Sequence, residues 1–419
     1  MELYNTRTQR QELFKPQAEG VSFYVCGITP YDTTHLGHAF TYTTADILTR
    51  YLEYQGYTVH YVQNVTDIDD DILRKAQAVG EDWRVLGNRW TRHFIEDMQA
   101  LNVRPPDHLP RATDVIPQIV AQVQRLLAAG VAYEVEGNVY FQVADWPEFG
   151  ALSRIPPQER LSIANERGNH PDDPHKREPL DFVLWQAQAA DDEPAWKSPW
   201  GNGRPGWHIE CSTLATHFLG ETIDIHSGGS DLLFPHHECE IAQVEPVTGQ
   251  KPFVRFWLHT AMVAYEGEKM SKSLGNLVMV RDLLQDYTAD ALRIYLAQHH
   301  YREVWAHDEV ALAKAVQSAE RLAVAMTAVS HDGQAINIHP VQDRFQAAMD
   351  NDLDTTMALA SLLNLADEII FRAENGYAVT EAQAALQQMA GVFGLRLGGE
   401  MAESRVIEGW QRHLERFKD

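Results

Sequence analysis

A chain of 419 residues is too long for one compact core, and with 44 % hydrophobic residues it has the apolar material for two or three domains. A formal net charge of -24 excludes a protein that grips nucleic acid over its whole surface, since phosphate contacts need clustered Lys and Arg, although a local basic face stays open. No apolar run reaches membrane-span length and MELYNTRTQRQELFKP lacks a signal core, so a cytoplasmic protein is expected; three scattered cysteines, Cys26, Cys211 and Cys239, exclude a disulfide framework.

Taken in chain order, 22–28 reads as a buried strand, and Gly27 and Pro30 turn the chain toward His35-Leu36-Gly37-His38, which opens a helical pattern over 38–56. A strand that leads into a helix N-terminus is how an α/β sheet presents free N–H groups and positive potential to a phosphate. Residues 57–65 form a second strand. Strand, helix, strand at this spacing predicts a parallel sheet with a ligand crevice at its carboxyl edge, where Cys26 and Thr66 fall. Asp67, Asp69, Asp70 and Asp71 allow a divalent-cation reading, but the preferred one is that they open a helix over 70–80 and complement its dipole.

The pattern from 81 to 130 is helical, broken at RPPDHLP, and 130–143 reads as a hairpin around Glu136 and Gly137. Residues 150–205, rich in Pro, Asp, Gly and Trp with one apolar run at 182–185, read as an insertion in the parallel sheet. SPWGNGRPGWHIECS ends it, with Trp207 as a stacking or packing surface and Cys211 at the start of a helical run. Residues 221–244 repeat the strand-then-glycine logic with Ser227, Gly228, Gly229 and Ser230; His236 and Glu240 then share a helix face at i, i+4, while Cys239 reads as packing. FVRFWLHTAMVAY, read as one strand, leads to EGEKMSKSLGN at 266–276, a lysine-bearing loop suited to a mobile anion clamp. After about 285 the chain is helical, with amphipathic runs at 288–300, 307–330, 340–350, 353–375 and 380–394 and a short amphipathic helix in RVIEGWQRHLERFKD.

Cys26, Cys211, His236 and Glu240 each fall at a strand end or helix start of the same expected sheet. Two thiolates, an imidazole and a carboxylate make a tetrahedral zinc set; the alternative is small cysteines and a helix-starting histidine packed in an ordinary sheet core. A backbone-plus-imidazole phosphate site at His35 and His38, joined to a lysine loop after the last strand, is what stabilising a pentavalent α-phosphate and a leaving pyrophosphate requires.

HLGH and KMSKS match the two signatures of the class I aminoacyl-tRNA synthetases. YVCGITPYD, NVTDIDD, KREPLDFVLW, SPWGNGRPGWHIECS, DIHSGGSD and FPHHECEIAQ resemble the cysteinyl branch of that family along roughly residues 2 to 330. The resemblance implies an α/β class with a Rossmann-like parallel catalytic sheet in two halves, 1–95 and 201–285, an inserted connective subdomain at 96–200, and a helical stem and bundle at 286–419. It implies one zinc on Cys26, Cys211, His236 and Glu240, and a cysteine pocket bordered by Thr66, Trp207, His226 and Asp231. ATP, with Mg2+, would meet His35, Gly37, His38, Lys269, Met270, Ser271, Lys272 and Ser273, with His35, His38, Lys269 and Lys272 as the catalytic groups. The implied reaction forms cysteinyl-adenylate and passes cysteine to the terminal ribose hydroxyl of tRNA(Cys), with the chain as a monomer. Zinc would serve recognition, because a thiolate is a good zinc ligand and a hydroxyl is not, whereas an apolar pocket separates near-isosteres only ~100-fold. A related ligase that joins cysteine to glucosaminyl-inositol in mycothiol synthesis is the alternative that GITPYDTTHLGHA, YVQNVTDIDD, GEDWRVLG, HTAMV, NLVMV and the short C-terminal region favour. A non-catalytic adenylate-site binding module is the remote one.

Overall fold

Four parallel strands, in the spatial order Val254–Thr260, Ile223–Gly229, Gly20–Ile28 and Thr58–Val65, form the central sheet. The structure, a computed structural model, describes residues 1–32, 34–265, 268–269 by backbone alone, 277–398 and 403–418. Elements cover both faces of this sheet, so its strands read as near-continuous apolar runs and not as alternating ones. The expected strand, helix, strand unit is present as Gly20–Ile28, Leu36–Tyr54 and Thr58–Val65, and a second runs through Ile223–Gly229, Glu238–Thr248 and Val254–Thr260. The two units lie on opposite sides of the boundary between Gly20–Ile28 and Ile223–Gly229. The order therefore reverses at that boundary, and a crevice opens at the carboxyl ends of those two strands.

Between the halves the chain passes through helices Asp70–Val79, Trp83–Ala100 and Ile116–Ala128 and a five-stranded antiparallel sheet, then returns by helix Trp207–Leu219. That sheet contains the expected hairpin: Glu136 (φ 50°) and Gly137 (φ 83°) take the left-handed conformation a tight turn between Ala132–Val135 and Asn138–Phe141 needs. The acidic run acts as a helix start, with Asp69 capping helix Asp70–Val79 by accepting from Asp71 N at 2.5 Å. FVRFWLHTAMVAY is not one strand. Val254–Thr260 ends in the central sheet, and Val263–Tyr265 pairs with Trp305–Ala306, because Ala261 N donates to Tyr301 O and turns the chain away.

The C-terminal region is helical as expected, with helices at Ala289–Ala297, Glu309–Thr327, His339–Asp350, Thr355–Glu374, Thr380–Val392 and Ser404–Leu414. Two apolar cores result. One joins helix Leu36–Tyr54, through Phe40, Leu48 and Tyr51, to the C-terminal helices through Leu292, Phe345 and Leu386. The other joins the opposite side of the central sheet, at Tyr24, Cys26 and Trp257, to Phe141 and Trp185 of the antiparallel sheet. The crevice residues thus face the inserted region, not the helical bundle.

Candidate metal centre and nucleotide crevice

Strand Gly20–Ile28 shifts register against Thr58–Val65 between Val25 and Ile28, because Gly27 brings its backbone against Asn64. A Cβ on Gly27 would stand 1.5 Å from Asn64 O, so no other residue fits there. Asn64 Oδ1 accepts from Gly27 N at 2.8 Å and lies 3.6 Å from Cys211 Sγ, which fixes Cys26 and Cys211 relative to each other. Cys211 comes from the second turn of helix Trp207–Leu219, and Glu240 from the first turn of helix Glu238–Thr248; His236 lies just before that helix, in the irregular turn Leu233–His237.

These four side chains converge. Cys26 Sγ is 3.8 Å from Cys211 Sγ and 3.7 Å from Glu240 Oε1, and His236 Nε2 is 3.3 Å from Glu240 Oε1. Their donor atoms all lie within 4.8 Å of one another. A tetrahedral ion with bonds of about 2.3 Å to sulfur and about 2.0–2.1 Å to nitrogen and oxygen needs ligand separations of about 3.8 Å between sulfurs and about 3.3 Å between the lighter atoms. The donor set fits such an ion. A second, overlapping quartet, Cys26, His226, His237 and Glu240, also falls within 4.8 Å. It shares two donors with the first, and His226 Nε2 hydrogen-bonds Glu240 Oε2 at 2.9 Å, leaving Oε1 toward the first quartet.

Burial sets the electrostatics. It pushes the Cys26 thiol well above its ordinary range, reinforced by the hydrogen bond and charge of Cys211 and by Glu240, and it pushes the Glu240 carboxyl up as well. Burial likewise drives His236 and His237 well below the ordinary imidazole range and His226, His208 and His259 to about 3, so these rings are neutral. A divalent cation would bind the neutral imidazole of His236 as it stands and would displace the protons of the Cys26 thiol and the Glu240 carboxyl.

The sequence reading grouped these four residues but not the side chains around them. His237 Nε2 lies 3.4 Å from Cys26 Sγ, His237 Nδ1 is 2.8 Å from His259 Nε2, and His259 Nδ1 is 2.8 Å from Thr6 Oγ1. Thr6, His259 and His237 thus form a hydrogen-bonded chain that ends at the Cys26 sulfur. His208 Nδ1, 2.9 Å from His236 Nδ1, leaves Nε2 of His236 for the centre. The available signals were the paired His236 and His237 and a histidine at the carboxyl end of strand Val254–Thr260. Substituting His259→Leu is expected to weaken retention of a divalent metal about 10–100-fold, measured by competition with a chromogenic chelator.

Trp207 stacks on His236 at 4.5 Å, His226 packs between Tyr24 and Trp257, and Thr66 is buried and accepts from Asn64 Nδ2 at 3.2 Å. Asp231 lies in the turn after strand Ile223–Gly229, at the mouth of the same crevice. His35 is the N-cap of helix Leu36–Tyr54: its Nδ1 accepts from Gly37 N at 3.1 Å, and His38 stacks on it at 3.8 Å. Of the loop residues, Lys269 pairs by backbone with Ala264, while Met270, Ser271, Lys272 and Ser273 lie outside the described residues. Beyond the loop, Leu36 N donates to Val278 O at 2.8 Å and Val280 N to Thr34 O at 3.0 Å, so the loop's distal base is joined to the start of the His35 helix.

The family described as tRNA synthetases class I (C) catalytic domain matches residues 13–317, and the DALR domain matches 344–398. A curated cysteine–tRNA ligase of Dehalococcoides mccartyi is 45% identical over 404 residues, covering 95% of this chain and 86% of that protein. One from Thermococcus onnurineus (strain NA1) is 46% identical over 384 residues, covering 88% and 79%. Among solved structures, Mycobacterium tuberculosis methionyl-tRNA synthetase in complex with methionyl-adenylate aligns with a TM-score of 0.65 over 94% of this chain and 93% of that one, at 15% identity, a likeness of fold alone.

Proposed function

The chain belongs to the cysteine–tRNA ligase family of class I synthetases, and from that premise we infer that it activates cysteine with ATP and transfers it to tRNA through the crevice described above. The observation that carries this reading is the convergence of Cys26, Cys211, His236 and Glu240 from three separate segments to tetrahedral spacing. Zinc is the ion that two thiolates, an imidazole and a carboxylate favour. When bound, it would offer the substrate thiolate a coordination position that serine's hydroxyl fills poorly.

The chain's own residues do the rest. Trp207, Thr66 and His226 wall the space beside the quartet, and Asp231 at the crevice mouth suits the substrate ammonium. His35 and His38, at a helix N-terminus whose potential favours anions, suit the phosphates of ATP and its Mg2+. Gly37 lets the phosphates approach the backbone there. Lys269, Met270, Ser271, Lys272 and Ser273 would meet the same phosphates. Attack by the substrate carboxylate needs no protein nucleophile, so positioning and charge carry the catalysis. We place the catalytic halves at 1–95 and 201–285, the insertion at 96–200, and the helical stem and bundle at 286–419. We take the chain to act as a monomer. Among the described residues no helix is long and apolar enough to cross a membrane, in keeping with a cytoplasmic enzyme.

The test is cysteine-dependent ATP–pyrophosphate exchange by zinc-loaded protein, followed by transfer of labelled cysteine to either tRNA(Cys) or glucosaminyl-inositol. Exchange with labelling of tRNA is expected. Labelling of the amino sugar instead would reassign the acceptor, and an absence of exchange would leave only a binding module.

A further inference from the structure

The turn that delivers His236 has a supply problem. Phe234 leaves helical geometry (φ −142°, ψ 133°) between Leu233 and His237, which breaks the hydrogen-bond ladder that a continuous helix would provide, and Phe234 is fully buried. The donor comes from the inserted region. Arg167, in the turn that follows helix Pro157–Asn165, donates from Nη1 to the backbone carbonyls of both Asp231 and Phe234. The same turn is held at a second point, where Glu238 accepts from Gly150 N at 3.0 Å and Ser153 N at 2.6 Å, and Phe149 packs edge-on against Phe234 at 5.8 Å.

Glu238 and Phe149 fix the helix side of the turn; Arg167 fixes its crevice side. The two carbonyls it holds belong to Asp231, at the crevice mouth, and to Phe234, two residues before the imidazole of the quartet. One guanidinium nitrogen therefore sets the spacing between the place where a substrate's ammonium would sit and the place where its sulfur would. We propose that Arg167 is a positioning residue for amino-acid binding, through which the inserted region holds the metal end and the ammonium end of the crevice at the separation that cysteine spans. This rests on the functional reading above.

Removing a charged donor from the carbonyls of Asp231 and buried Phe234 lets the turn relax, at a cost of the size expected for lost hydrogen bonds to a charged group. The variant Arg167→Ala, in the full-length zinc-loaded chain, is expected to raise KM for cysteine about 10- to 100-fold in pyrophosphate exchange. KM for ATP should be unchanged, kcat should stay within about threefold, and zinc should remain stoichiometric, because Arg167 touches neither the His35 helix nor a metal donor. Added guanidinium should bring the KM for cysteine back toward wild type, and Arg167→Lys, which keeps a cationic donor, should fall between the two. A merely structural role would lower the melting temperature without rescue. Unchanged KM for cysteine in both variants, or a joint loss of kcat and ATP affinity without rescue, overturns the proposal. A wild-type chain that fails to exchange overturns the functional reading and this assignment with it, whereas an active wild type beside unaffected variants overturns this assignment alone.

Discussion

Replacing Cys211 with alanine is expected to remove stoichiometric zinc and the preference for cysteine over serine in a single step. Its sulfur is one of two in the quartet, 3.8 Å from that of Cys26, and is buried. Apparent binding energies of about 10–16 kcal/mol for structural zinc, shared among four donors, put one donor at about 3 kcal/mol, a loss in affinity of roughly 100-fold or more. What would remain around a substrate there is Trp207, Thr66 and neutral imidazoles. Such a pocket separates a thiol from a hydroxyl of nearly the same size by ~100-fold at most. Metal per chain and exchange rates with cysteine and with serine should therefore fall together. Retained selectivity in a metal-free variant would mean that the pocket discriminates by itself. Cys239→Ala is the control: Cys239 is buried but belongs to neither quartet, so both readouts should stay at wild-type values.

Why this centre was legible in the sequence, and its supports were not, follows from what a linear pattern encodes. Cys26, Cys211, His236 and Glu240 each follow a local signal, a strand end or a helix start, and a parallel sheet places such points along one edge whatever the detailed packing. His237, His259 and Thr6 depend on lateral register: Gly228 pairs with His259, and Thr6 reaches the ring only because its backbone N–H donates to Trp257 O. No period in the sequence announces that register. The same holds for Arg167, whose segment reads as polar insertion until Phe234 is seen to need a donor. FVRFWLHTAMVAY was misread for a related reason. An apolar run cannot show that its second half will find a partner at Trp305–Ala306, some forty residues on. The helical region was legible from periodicity, because those helices bury one stripe each against neighbours close in sequence.

The largest effect on stability is expected away from the crevice, at Asp46, in the middle of the helix that His35 caps. Asp46 and Arg293 are both fully enclosed, and the Arg293 guanidinium binds the Asp46 carboxylate and the carbonyls of Phe393 and Leu101. Arg50 binds the other Asp46 oxygen at 2.8 Å, Asn102 O at 2.9 Å and Glu403 at 2.7 Å, and Arg104 N donates to Asp46 at 2.8 Å. Gly394 (φ +64°) makes room for this: a Cβ there would stand 2.6 Å from the Arg293 guanidinium. Asp46→Ala leaves Arg293 buried without a counter-charge and should cost about 3–5 kcal/mol, read from urea denaturation. The double variant Asp46→Leu with Arg293→Met removes both charges and should recover most of that loss. If it does not, the pair contributes beyond avoiding an orphan charge. Burial alone would raise the Asp46 pKa, but Arg50 and Arg293 outweigh it and hold the carboxyl below its ordinary value. A depressed folded pKa means that this contribution is present above the ordinary carboxylate range and is lost as pH falls through the folded value. Wild type should thus lose its stability advantage over Asp46→Ala on acidification below that range. An advantage that is flat with pH would show that packing, not charge, ties helix Leu36–Tyr54 to the helical region and to Glu403.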